Sequence, residues 1–119
     1  MQIVPVGSLA HQVDRFGTSG VTISPVAHIT RCTIASVVLA EFGAGSVLGR
    51  HEARLWQLFT PVEGSGWVSG EDDERTPIER GWAALWSPGE LHASGSETGM
   101  VACIVESDVR PGVEPRPKG

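Results

Sequence analysis

The sequence predicts an all-β chain closed into a single antiparallel barrel or sandwich, and three observations carry that prediction. There are 15 Gly and 8 Pro among 119 residues, and both residue types interrupt helices and mark turns. The apolar segments are short and dominated by Val, Ile, Thr and Trp, which suit a pleated, half-buried surface. Finally, about eight such segments are separated by turn residues every 8 to 12 positions, the rhythm of sandwiches and barrels. The length fits one hydrophobic core and hence one domain.

Taken in order, residues 1–20 are broken by Gly7, Gly17 and Gly20, with a short strand or turn around Gln12–Phe16. Val21–Thr30 reads as a strand interrupted by Pro25, which places it at an edge or bulge because Pro donates no ladder hydrogen bond. Cys32–Phe42 gives the strongest strand pattern and ends at Gly43-Ala44-Gly45. Leu48–Pro61 follows, then a turn at Glu63-Gly64-Ser65-Gly66. Trp67–Ser69 and Arg75–Glu79 flank the acidic turn Gly70–Glu74 and predict a hairpin. Gly81–Trp86 is a strand ended by Ser87-Pro88-Gly89; His92 begins another, and Met100–Glu106 is the last. The barrel is expected over residues 1–107, with a flexible tail over 108–119 carrying Pro111, Pro115 and Pro117.

Charge narrows the function. The formal net charge is −5, and eight of the nine basic residues are scattered Arg, so no basic stripe exists to displace counterions from a nucleic acid or to hold an anionic membrane surface. No apolar run approaches the roughly 20 residues needed to span a bilayer. The opening residues lack a charged leader followed by an apolar stretch, so a cytoplasmic location is expected. Cys32 and Cys103 lie in apolar strand-like contexts without metal-type spacing, which predicts buried reduced thiols.

Two segments carry the chemical information, Gly45–Gly64 and Gly81–Ser96. Side chains alternate along a strand, so His51, Ala53, Leu55, Gln57 and Phe59 would share a face, opposite Glu52, Arg54, Trp56 and Leu58. The first set suits a barrel interior, apolar filling with two polar groups that converge. Alternatively, His51 and Gln57 simply hydrogen-bond each other or the backbone.

These two segments resemble the paired motifs of the cupin superfamily. The first family motif runs Gly, five residues, His-x-His, three or four residues, Glu, six residues, Gly; Gly45, His51, Gln57 and Gly64 fall at those spacings. The second runs Gly, five residues, Pro-x-Gly, two residues, His, three residues, Asn; Gly81, Gly89 and His92 match it. Four positions depart: Ala53 stands for the second His, Gln57 for the Glu, Ser87 for the Pro and Ser96 for the Asn. The resemblance implies a jelly-roll, or double-stranded β-helix, barrel, often dimeric, with a divalent metal inside. Here the implied ligands reduce to His51, Gln57 and His92. Imidazole suits Fe, Zn, Mn and Ni, whereas a neutral amide offsets none of the ion's charge.

The expected pocket is lined by His51, Ala53, Gln57, Phe59, Trp86 and His92, with Trp67 a further candidate. Its occupant is a small organic molecule, and the partner is a second copy of the chain. One expectation is a metal-dependent enzyme of the oxygenase, isomerase, lyase or cyclase type; the other is a metal-free ligand-binding, sensor or accessory cupin. His11 and His28 are candidates to reach the pocket from neighbouring strands, but surface or backbone-bonded roles suit them better. Glu52 and Glu90 should point away from it, and the acidic turn reads as a solvated hairpin tip.

Overall fold

The computed structural model describes residues 1–113. Ten strands and no helix are found among them: β1 (Gln2–Pro5), β2 (His11–Gln12), β3 (Thr22–Ile23), β4 (Ala35–Phe42), β5 (Ser46–Glu52), β6 (Trp56–Ser69), β7 (Thr76–Glu79), β8 (Trp82–Trp86), β9 (Leu91–Ser96) and β10 (Met100–Ser107). One layer runs β1-β8-β6-β10-β4. The other is built by β5 on β9, β9 on the far half of β6, and β7 on β6. Every pairing is antiparallel, and β2 with β3 forms a separate two-stranded ribbon. The all-β barrel expectation holds.

The 14-residue strand β6 belongs to both layers. Its first half pairs with β8 and β10, its second with β7 and β9. A turn was expected at residues 63–66; instead the strand bends there and continues. Pro61 and a register shift opposite Val101 and Ala102 loosen the ladder at the bend, as a bulge does where a strand changes sheets. Gly64 has a φ of +74°, and a Cβ on it would collide with the carbonyl oxygen of Gly99. That close approach requires glycine.

Between the layers lies a core of Phe42, Phe59, Val68, Ile78, Trp86, Met100 and Ile104 with Ala53, Ala84 and Ala102. The outer side of the first layer is also covered: Val4, Leu58, Ala83 and Leu85 are buried there, with Val6, Trp56, Val105 and Val113 packed against them. Both faces of β6 and β8 are therefore buried here, and Leu58 alone contributes about 1.5–3 kcal/mol of burial.

Several expected boundaries shift. The Leu48–Pro61 segment divides into β5 and β6, with Ala53–Leu55 between them outside any strand. Val21–Thr30 keeps only Thr22–Ile23 and an isolated bridge from His28 to Gly112. Cys32 precedes β4 and is exposed, contrary to the buried thiol expected; Cys103 is half-buried. The flexible tail was expected from Asp108, yet residues 108–113 are tied back. The Asp108 carboxylate accepts hydrogen bonds from the Thr33 and Ile34 N–H groups at 3.0 Å each, Pro111 is buried, and Gly112 exchanges two backbone hydrogen bonds with His28. The remainder of that tail lies outside the described residues. Among the described residues no helix is long and apolar enough to cross a membrane.

Candidate functional site

The site forms where β5 runs beside β9. His51 and His92 are directly opposed in the antiparallel register, so their side chains leave the same face as nearest cross-strand neighbours. The corner where β5 ends and β9 begins locks that register. The Ala53 N–H donates to the Glu90 carbonyl at 2.9 Å, the Gly89 N–H donates to the Ala53 carbonyl at 2.7 Å, and the turn closes with Glu90 N–H to the Ser87 carbonyl at 3.1 Å. Gly89 makes this turn with a φ of +86°. The two motif segments, distant in sequence, are thus fastened together by backbone at Ala53.

The imidazole rings of His51 and His92 lie 4.4 Å apart between centroids, tilted by 53°. His51 Nδ1 is 2.6 Å from the Gly49 carbonyl, and His92 Nδ1 is 3.3 Å from the Glu90 carbonyl. A carbonyl oxygen only accepts, so Nδ1 carries a proton in both rings, and Nε2 presents a lone pair wherever the ring is neutral. His92 is buried, and its Nε2 has no hydrogen-bond partner. Trp86 holds that ring from below at 4.6 Å and is itself fixed by an Nε1–H bond of 3.1 Å to the Ser69 carbonyl. Burial, chiefly, pushes the His92 pKa below its ordinary value, and the neighbouring His51 pushes the same way against the opposing hydrogen bond to Glu90. That shift favours the neutral ring. His51 stands at the exposed mouth.

Gln57 is 9 % exposed at the start of β6, opposite Glu106 on β10. Its Nε2 donates to Glu106 Oε1 at 2.8 Å. His51, Ala53, Gln57, His92 and Glu106, with Glu52 and Arg54 at the rim, surround an open cleft of about 250 Å³.

Of the six residues expected to line the pocket, His51, Ala53, Gln57 and His92 do so. Phe59 and Trp86 lie beneath it in the core, with rings 5.9 Å apart; their part is support. Trp67 is outside the cleft, capped by the Arg75 guanidinium at 3.8 Å. Glu52 was expected to point away and instead joins the rim, because the strand ends one residue after His51. Glu90 does turn away, its carboxylate accepting from the Ser87 N–H at 3.1 Å. His28 packs on the backbone of Gly112, and His11 bonds the Leu9 carbonyl at 3.2 Å. The acidic turn is capped by Arg50, whose guanidinium donates to the Gly70 and Glu71 carbonyls and pairs with Asp73 at 3.0 Å.

The group missed in the sequence is Glu106, the last charged residue of an otherwise apolar strand. Only the β6–β10 register places it beside Gln57. A larger hollow of about 500 Å³ lies elsewhere, between Ile3, Pro77, Ile78, Glu79 and Trp82, but it gathers no imidazole.

For a divalent metal, the fit rests on the His92 Nε2, a buried lone pair without a partner, beside a second imidazole in the same tautomer. Nδ1–H bonds to backbone carbonyls are the usual way proteins orient histidine ligands. Among the described residues, no three His, Cys, Asp or Glu side chains group closely enough to hold an ion. A third donor has to be the Gln57 amide oxygen.

No protein-family model and no curated relative matches the chain. Solved structures do match in fold. A cupin-like protein from Thermotoga maritima superposes with a TM-score of 0.59 at 17 % identity, covering 63 % of this chain and 58 % of that one. An RmlC-like cupin from Shewanella frigidimarina gives 0.59 at 22 %, covering 64 % and 68 %. A DMSP lyase from Ruegeria pomeroyi gives 0.58 at 12 %, covering 71 % of this chain and 45 % of the lyase.

Proposed function

We propose that this chain, a cupin by its fold, binds a small organic molecule at a divalent metal centre held by His51, His92 and Gln57. One observation carries the reading: the buried, unpartnered Nε2 of His92, set 4.4 Å between ring centroids from the imidazole of His51, whose Nδ1 is likewise bonded to a backbone carbonyl. Leaving such an atom unsatisfied costs about 1–3 kcal/mol, a cost that a ligated ion removes.

Each residue has a defined part. His51 and His92 donate through Nε2, their Nδ1–H groups anchored by Gly49 and Glu90. Gln57 offers its amide oxygen, since its nitrogen is committed to Glu106. Ala53 puts a methyl group where the family motif carries a second histidine, so beside a bound ion this side of the cleft would have room for an organic ligand. Trp86 and Phe59 exclude water from beneath and fix the His92 ring. A bound Fe, Zn, Mn or Ni ion would supply Lewis acidity to an oxygen atom of that ligand. The size of the cleft restricts the occupant to a compact molecule. The proposed chemistry is of the oxygenase, isomerase, lyase or cyclase type.

Metal content of untagged protein, followed by calorimetric titration of the stripped protein with Zn²⁺ and Mn²⁺, tests the reading. One ion per chain is expected, lost in both His51→Ala and His92→Ala. A protein that retains small-molecule affinity while binding no ion would overturn it in favour of the metal-free ligand-binding reading, which the missing fourth donor at Ala53 favours.

A further inference from the structure

We infer that Glu106 supplies the negative charge the cleft lacks at position 57, acting through the Gln57 amide as its positioning residue; this rests on the metal reading above. A divalent ion among two neutral imidazoles and a neutral amide leaves its charge unbalanced, and buried charge is costly unless paired. Glu106 sits one hydrogen bond from the amide, 2.8 Å from Gln57 Nε2. It lines the same cleft, and its strand is in register with Gln57, so the contact is built into the sheet.

Chemistry fixes the direction of this bond. An ionised carboxylate has only acceptor sites, so the amide must turn its nitrogen to Glu106 and leave Oε1 for the ion. The charge-assisted bond, roughly twice as strong as a neutral one, also polarises the amide and raises the electron density on Oε1. The pair Gln57–Glu106 thereby does in two residues what one carboxylate does alone.

The pair is testable by exchange. Glu106→Gln, nearly isosteric, should weaken Zn²⁺ binding to the stripped protein about 10- to 100-fold, the range typical of groups that orient metal ligands. The double variant Gln57→Glu/Glu106→Gln keeps the charge and hydrogen bond with the two ends swapped, and it should recover most of that loss. Circular dichroism and thermal melting of both stripped variants check folding. If Glu106→Gln binds Zn²⁺ as the wild type does, or the exchanged pair shows no recovery while folded, Glu106 has no such role and the metal reading survives. A wild-type chain that binds no ion removes both.

Discussion

His92→Phe should make the metal-free protein more stable while destroying its metal site. Four features of the structure set the size of the effect. The substitution removes a buried Nε2 that hydrogen-bonds nothing, recovering about 1–3 kcal/mol. It forfeits the long Nδ1–H bond to the Glu90 carbonyl, worth about 0.5–1.5 kcal/mol. The Glu90 carbonyl stays satisfied because it also accepts from the Ala53 N–H. Ring packing on Trp86 and His51 is kept. The net gain is about 1 kcal/mol, which for a domain of this size raises Tm by about 4 °C. The assay is thermal melting in excess EDTA, repeated with saturating Zn²⁺. With metal the order should invert, because ligand binding stabilises only the wild type. A metal-free His92→Phe protein that melts below the wild type would refute the reasoning, since it would mean that Nε2 is already satisfied.

Two further outcomes follow from named groups. Because burial lowers the His92 pKa, the unfolded chain binds this proton more readily than the folded one. The metal-free protein should therefore lose stability as pH falls below about 6.5, the ordinary histidine value, and melting at stepped pH should show that loss diminished in His92→Phe. Asp108 takes both the Thr33 and Ile34 N–H groups, which hold its carboxyl below the usual range. Asp108→Ala should accelerate hydrogen exchange at those two amides without altering exchange in β9.

How much of this was legible in the sequence depended on whether a feature was local or came from the way strands meet. Gly and Pro punctuation and β-branched runs are local, so β4, β8 and β10 emerged nearly at their observed bounds. The spacing of Gly45, His51, Gly89 and His92 also told truly, because the backbone corner at Ala53 and Glu90 needs those residues at those distances. The bend in β6 read as a turn because Gly64 and Gly66 signal one; tertiary crossing, rather than reversal, is what needs them. Phe59 and Trp86 alternate correctly to face inward, yet alternation cannot say how deep a residue lies, and both fall one layer below the cleft. Glu106 was invisible because its meaning lies in the β6–β10 pairing, 49 positions from Gln57 along the chain. The exposed β2–β4 region follows no sequence rule used above, for its apolar residues look like core.

The bend in β6 has one last effect. Gln57 belongs to the half of that strand facing β8 and β10, whereas His92 is carried on β9, which joins the other half at Trp67–Ser69. The arc from Pro61 to Gly66 is therefore a ruler: its curvature sets the span between amide and imidazole. Altering that arc by a single residue would resize the cleft without touching any group that lines it.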